Sequence, residues 1–122
     1  MSTITAADEH RIVEEVPKQL YIGGEWRDAA GGTFRVEDPA TGETVAEVAD
    51  ASPDEAMEAL DAAVAIGPSW AETAPRERGE ILRRGFEAIV ERQDELALLM
   101  TLEMGKPLAE SKAEILYGAE FL

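Results

Sequence analysis

The spacing of hydrophobic residues changes once along the chain, near residue 50. Before that point, short apolar runs alternate with glycine- and proline-containing segments, which is typical of strands joined by tight turns. After it, apolar residues recur every three to four positions, which predicts amphipathic helices. The sequence therefore predicts a small antiparallel β-meander at 20–50, followed by a helical region at 52–122.

The predicted meander contains two recognisable turns. Gly23-Gly24 lies between two short apolar runs and accepts the positive φ that a two-residue hairpin needs. A β-turn is predicted for the segment Asp38-Pro39-Ala40-Thr41-Gly42-Glu43. Its proline fixes the backbone φ near the start of the turn, and its glycine ends the turn. Three or four short strands of this kind need another surface to pack on.

The first of four predicted helices begins at Ser52-Pro53-Asp54-Glu55. This is a capping box, in which the serine and glutamate side chains satisfy free backbone N–H groups. Gly67-Pro68 is expected to end the helix. Its inward face is marked by three large apolar residues: Met57, Leu60 and Val64. Trp70, in the linker that follows, and Trp26, in the meander, are both expected to lie in the core.

Three further helices are predicted to follow. Pro75 begins one that ends near residue 92, Asp94 caps the next, and Pro107 begins the last. Gly105 ends the third helix just before Pro107, so the two residues form a tight joint that sets the angle between the last two helices. Because the final pattern has no stop signal before Leu122, we expect the chain to be part of a longer protein.

The charge of the chain is strongly negative, with 26 acidic and 11 basic residues and a net charge of −15. Such a chain repels phosphate backbones, which argues against nucleic acid and anionic membranes as partners. Residues 1–19 are expected to form a flexible N-terminal arm, and a loose helical turn around Ile12, Val13 and Val16 is the alternative. They lack a signal-peptide pattern, which favours a cytoplasmic location. The acidic surface favours a halophilic protein in a salt-rich cytoplasm, with an acidic mesophilic protein as the alternative.

The sequence offers little chemistry of its own. It has no cysteine and a single histidine, His10, which excludes a cysteine nucleophile, thiolate metal sites and a Ser–His dyad from these residues. Neither common glycine-rich phosphate-binding motif occurs. Lys106 is a candidate functional amine, although a lysine at a helix C-terminus more often interacts with the free carbonyls.

Three segments together resemble the aldehyde dehydrogenase superfamily. The first is Tyr21-Ile22-Gly23-Gly24-Glu25-Trp26, and the second, 34–43, is similar to the family's NPATGE hairpin with Asp38 in place of asparagine. The third, 102–110, is similar to the family's LETGKPLAEA joint with Met104 in place of threonine or asparagine. The resemblance covers 20–122 and implies the N-terminal part of an aldehyde dehydrogenase-like α/β fold, an incomplete domain. Residues 115–122 look most like succinate-semialdehyde dehydrogenases.

The resemblance implies NAD(P)-dependent oxidation of an aldehyde to a carboxylic acid, with succinate semialdehyde as the candidate substrate. In the family a cysteine attacks the aldehyde, hydride passes to nicotinamide, and a glutamate-activated water releases the acid. These parts and the cofactor loop lie beyond the family position of Leu122. The isolated chain is therefore expected to bind neither NAD nor NADP and to be inactive. The full-length protein is expected to form homo-oligomers. The alternative is a stand-alone acidic interaction module without catalytic activity.

The resemblance also implies one candidate metal site, for a monovalent cation. Its ligands in many family members correspond here to the backbone carbonyl of Glu37 and the carboxylate of Glu103. Both supply the oxygen atoms that a hard cation prefers. The family's third ligand is missing from this chain, so the site would be incomplete, and the alternative is that Glu103 is only an exposed acid at a helix end.

Overall fold

Short strands and helices follow one another along the chain, and the computed structural model describes them over residues 4–122. The strands are β1 (Leu20–Ile22), β2 (Glu25–Arg27), β3 (Thr33–Glu37) and β4 (Thr44–Ala49). The helices are α1 (Ala6–Glu15), α2 (Pro53–Glu72), α3 (Pro75–Glu91), α4 (Gln93–Met104) and α5 (Leu108–Ala119). This order confirms the predicted antiparallel β region followed by four helices, and it adds α1 in front of them.

The strands pair as two separate antiparallel hairpins, β1–β2 and β3–β4, rather than as one continuous meander. Gly23 and Gly24, with φ of 63° and 91°, turn the chain between β1 and β2. The loop after β2 is tied to α2, because the Ala30 N–H donates to Glu55 Oε1 at 2.9 Å. The chain is thus directed towards α2 between the two hairpins, and β2 does not pair with β3.

The predicted flexible arm, residues 1–19, contains helix α1. Thr5 and Asp8 form a capping box at its start, and Asp8 Oδ2 accepts from the Thr5 N–H at 2.9 Å. Ile12 is only 6% exposed and lies in a pocket shared with Leu96 and Leu99 of α4. Residues 6–15 of the arm are therefore helical, and a cap and a buried side chain hold this helix. The flexibility of the arm as a whole stays a prediction. Residues 1–3 of the predicted arm lie outside the described residues.

Helix α2 continues through Gly67-Pro68, where the sequence predicted its end, and it includes Trp70. The backbone carbonyls in the last turn of a helix have no partner within the helix. At the end of α2 the Arg78 guanidinium of α3 donates to two such carbonyls, that of Ala71 at 3.1 Å and that of the C-cap residue Thr73 at 2.6 Å. The last turn of α2 is thus stabilised from a neighbouring helix, which the local sequence pattern does not show.

The closest packing lies between α4 and α5. Ala97 and Leu98 of α4 and Ala119 of α5 are all buried. Between them the hydroxyl oxygens of Thr101 and Ser111 lie 3.0 Å apart in a hydrogen bond, and Ser111 is fully buried. The main core of the described residues is therefore helical.

Many large apolar side chains elsewhere lie at the surface. Met57, Leu60 and Val64 of α2, predicted to face inward, are 55%, 53% and 65% exposed. Trp70 and Trp26, predicted to lie in the core, are 41% and 52% exposed. These predictions of burial are wrong, because residues 4–122 cover each of these side chains only in part.

Candidate functional site

The joint between α4 and α5 forms as predicted. Gly105 has a φ of 72°, the left-handed conformation that commonly ends a helix, and its N–H donates to the carbonyl of Thr101 at 2.9 Å. Pro107 comes directly before α5, and its carbonyl accepts from the Ser111 N–H at 3.0 Å. Glycine and proline thus divide the two helices as their backbone preferences require.

The turn between β3 and β4 packs against this joint. A Cβ atom placed on Gly105 would lie only 2.9 Å from Cγ of Pro39, closer than two carbon atoms pack. The 34–43 and 102–110 segments, which are far apart in sequence, therefore meet in space. This contact brings together the two segments that carry the candidate cation ligands.

Hydrogen bonds among its own polar groups hold the β3–β4 turn. Asp38 Oδ1 accepts from the Ala40 N–H at 2.7 Å, and the Asp38 carbonyl accepts from the Gly42 N–H at 2.7 Å. The Asp38 N–H donates to the carbonyl of Glu43 at 2.9 Å. An aspartate here performs the same turn-closing role that an asparagine side chain performs through its carbonyl oxygen.

The two candidate cation ligands lie on either side of this contact. Glu37 ends β3 at a register irregularity, and its carboxylate lies 3.5 Å from the Arg35 guanidinium. Glu103 is exposed in the last turn of α4 and lines a small cavity together with Val36, the residue before Glu37. Lys18 lines the same cavity, and its ammonium group donates to the carbonyl of Glu14 at 3.2 Å.

The donor set fits a monovalent cation only in part. A carboxylate near a helix C-terminus is disfavoured by the free carbonyls, and a bound cation would relieve that repulsion. Within residues 4–122, however, no group of three or more acidic or histidine side chains is placed to hold a metal ion. Glu37 and Glu103 therefore remain a predicted, incomplete site, as the sequence indicated.

Lys106 makes an ion pair rather than presenting a free amine. Its ammonium group pairs with the carboxylate of Glu114, in the second turn of α5. A second ion pair joins Lys112 to Asp94 at 2.6 Å and ties α5 to the start of α4. These contacts favour the structural interpretation of Lys106 over the catalytic one.

Glu55 has a larger structural role than the capping box alone indicated. Its carboxylate accepts from the Ser52 N–H at 2.8 Å and the Ser52 hydroxyl at 2.9 Å, in addition to the Ala30 N–H. These donors, chiefly the backbone groups of Ser52 and Ala30, lower the pKa of Glu55. The contact with Ala30 has no signal in the sequence, because it joins residues from different elements.

The comparisons with known proteins agree with this geometry. Residues 26–122 match the model of the aldehyde dehydrogenase family. The chain belongs to the aldehyde dehydrogenase family. The predicted family and the incomplete α/β fold are thereby confirmed.

Curated aldehyde dehydrogenases resemble this chain over most of its length. The glutarate-semialdehyde dehydrogenase of Pseudomonas putida is 48% identical over 106 residues, which cover 86% of this chain and 22% of that protein. The succinate-semialdehyde dehydrogenase of Paenarthrobacter nicotinovorans is 58% identical over 78 residues, or 64% of this chain and 17% of that protein. The NADP-dependent succinate-semialdehyde dehydrogenase of Escherichia coli is 46% identical and covers 86% of this chain.

A solved aldehyde dehydrogenase structure gives the same result. The succinate-semialdehyde dehydrogenase of Burkholderia pseudomallei superposes with a TM-score of 0.83 at 41% identity, over 99% of this chain and 24% of that one. The chain thus spans about a fifth to a quarter of these aldehyde dehydrogenases. Among residues 4–122, no helix is long and apolar enough to cross a membrane.

Proposed function

We propose that this chain is the N-terminal part of an NAD(P)-dependent aldehyde dehydrogenase that oxidises a semialdehyde to a carboxylic acid. The observation that supports this most strongly is the family match over 26–122, combined with coverage of only 22% of the relatives' length. Relatives named for succinate and glutarate semialdehydes are both among the similar proteins. Both substrates carry a carboxylate at the end opposite the aldehyde, and succinate semialdehyde is our candidate.

The isolated chain is proposed to be catalytically inactive. It contains no cysteine, so it cannot form the covalent intermediate of the family's reaction. The nicotinamide cofactor, when bound to the full-length enzyme, accepts the hydride. The residues of this chain contribute packing around the Gly105 joint rather than groups that react.

The purified chain provides the direct test of this proposal. Mixed with succinate semialdehyde and either NAD or NADP, it should give no increase in the absorbance of the reduced cofactor. Isothermal calorimetry should likewise detect no binding of either dinucleotide. Turnover by the chain alone would contradict the proposal, because it would require a catalytic group that the sequence does not hold.

A monovalent cation is proposed to bind between the Glu37 carbonyl and the Glu103 carboxylate in the full-length enzyme. The contact between Pro39 and Gly105 supports this by holding the two segments together. Thermal unfolding in KCl and in choline chloride at equal ionic strength tests the site. The Glu103→Gln variant of the full-length enzyme should lose the difference between the two salts, and Glu110→Gln, an exposed acid on α5, should retain it.

The net charge also supports a proposal about the cellular environment of the protein. A net charge of −15 is tolerated best where salt screens the repulsion, so we place the protein in a salt-rich cytoplasm. The same charge disfavours nucleic acid as a partner. The full-length enzyme is proposed to form a homo-oligomer whose main contacts lie outside this chain.

The second candidate function is a stand-alone acidic interaction module, and the net charge of −15 is the observation that favours it. The two candidates differ in how the isolated chain should melt. A module that is complete by itself should unfold cooperatively and bind little of a hydrophobic dye. The proposed enzyme segment should bind the dye before it unfolds, because its apolar surface is uncovered.

A further inference from the structure

One small cavity is lined by two residues of opposite charge. It has a volume of about 30 Å³ and lies between the end of α1, the β3–β4 hairpin and α4. Among the residues that the structure describes, Lys18 and Glu103 are the only charged ones in its lining, and the others are valines, an alanine and a leucine. Charges that face an apolar lining interact more strongly than charges in open water, because less water separates them.

The positive charge of Lys18 is fixed by helix α1. Its ammonium group donates to two carbonyls in the last turn of that helix, those of Val13 and Glu14, the latter at 3.2 Å. Helix α1 is itself fixed on α4, because Ile12 is buried in a pocket lined by α4 side chains. The ammonium group is therefore held at the end of α1 that borders the cavity.

Glu103 lies where a nearby positive charge is stabilising. It is in the last turn of α4, and the free backbone carbonyls there repel a carboxylate. Two sources of positive charge are available to it. One is the Lys18 ammonium, and the other is the monovalent cation proposed to bind between Glu103 and the Glu37 carbonyl. Both carry one unit of charge, so each opposes the other at this site.

Lys18 precedes the segment that matches the family. The family match begins at residue 26 and includes both candidate cation ligands, Glu37 and Glu103. The other two lysines of the chain, Lys106 and Lys112, each pair directly with a carboxylate, whereas Lys18 donates to backbone carbonyls. This chain thus adds a lysine charge beside ligands that the family segment supplies.

We propose that Lys18 opposes the binding of a monovalent cation at Glu103 and thereby raises the cation concentration at which the site fills. This inference rests on the proposed cation site. The ammonium supplies part of the charge that stabilises the Glu103 carboxylate, so a bound ion adds less, and it also repels the ion directly. A site weakened in this way fills over the high salt concentrations of a salt-rich cytoplasm, so its occupancy follows the salt concentration there.

Thermal unfolding of the full-length enzyme tests the proposal, in mixtures of KCl and choline chloride at constant ionic strength. The measured quantity is the KCl concentration that gives half of the maximal stabilisation. Lys18→Met keeps the length of the side chain and removes its charge, and it should lower this concentration about threefold or more. Lys18→Arg keeps the charge and should leave the concentration unchanged.

Lys112→Met is the matched control for net charge. It removes one positive charge from α5, where Lys112 pairs with Asp94 and does not line the cavity. The half-maximal KCl concentration should be the same as in the original enzyme. A general loss of stability lowers every melting temperature without moving this concentration, so the readout is specific to the ion. Circular dichroism checks that the variants fold, and Lys18→Gln replaces Lys18→Met if the latter does not.

The possible results separate the role of Lys18 from the cation site and from catalysis. Equal half-maximal concentrations in the original enzyme and in Lys18→Met would overturn the role of Lys18 and leave the cation site standing. An equal shift in Lys112→Met would also overturn it, because net charge alone would then account for the effect. If KCl stabilises none of the proteins, both the cation site and this inference fail. Oxidation of succinate semialdehyde by the same preparations tests the proposed enzymatic function independently.

Discussion

Pro39 lies so close to Gly105 that a Cβ atom on the glycine would come within 2.9 Å of the proline Cγ. The glycine also has a φ of 72°, which side-chain-bearing residues adopt only with strain. Two requirements therefore coincide at one position. The backbone needs glycine to end α4, and the β3–β4 turn needs glycine in order to pack against the joint.

Replacing Gly105 with alanine should destabilise the chain. The left-handed conformation alone costs about 1–2 kcal/mol for a residue with a Cβ atom, and the contact with Pro39 adds to this cost. Urea denaturation followed by circular dichroism measures the loss. Gly118→Ala is the control: its Cβ would meet no neighbouring atom within 4 Å, and replacing a glycine in helix α5 should raise stability by up to about 1 kcal/mol.

The double variant Gly105→Ala, Pro39→Ala separates the two requirements. Alanine at residue 39 lacks the Cγ atom that lies nearest the glycine, so only the backbone strain should remain. The cost of Gly105→Ala should accordingly be smaller in the Pro39→Ala background than in the original chain. Equal costs in both backgrounds would show that the packing contact does not contribute.

Glu55→Gln should change how stability depends on pH. The lowered pKa of Glu55 means that its charged form stabilises the folded chain. This contribution is complete above the unfolded pKa of about 4.3 and is lost as the pH falls through the lower folded pKa. Unfolding free energies from pH 7 down to pH 3 should show the variant less stable at neutral pH, with the difference shrinking in acid. Glu91→Gln, an exposed residue at the end of α3, should lack this pH-dependent difference.

Arg78→Gln should loosen the last turn of α2. The guanidinium donates to two carbonyls there, and hydrogen bonds from charged groups contribute about 1.5–3 kcal/mol, less where solvent reaches them. We expect a loss of about 1 kcal/mol in urea denaturation and a red shift of Trp70 fluorescence, with Trp26 replaced by phenylalanine to isolate the signal. Arg76→Gln, an exposed residue of the same helix, should cause neither change.

Raising the salt concentration should stabilise the chain. Screening shortens the range of charge repulsion from about 10 Å at 0.1 M salt to about 3 Å at 1 M. With a net charge of −15, we expect the melting temperature to rise by about 5 °C or more between these concentrations of KCl. An unchanged melting temperature would contradict the proposed adaptation to a salt-rich cytoplasm.

The sequence predicted best those features that depend on adjacent residues. The capping box at Ser52, the Gly23-Gly24 turn and the Gly105 joint all follow from local backbone preferences, and all are present. The end of α2 could not be predicted in the same way. The carbonyls of its last turn accept hydrogen bonds from Arg78 of another helix. A prediction based on Pro68 alone therefore ends α2 too early.

Burial was harder to predict than secondary structure. The spacing of Met57, Leu60 and Val64 shows which side of α2 is apolar, but it does not show what covers that side. The candidate site has a similar limit. Glu37 and Glu103 were identified only through the family resemblance, and the contact that brings their segments together joins residues more than sixty positions apart.

Helix α2 is anchored at its two ends to different parts of the chain. Glu55 binds the Ala30 N–H at its start, and Arg78 binds the carbonyls at its finish. The helix is therefore already formed before its apolar side is covered. The surface that covers this side does not have to offset the conformational entropy lost in forming a helix, so more of the contact energy appears as affinity.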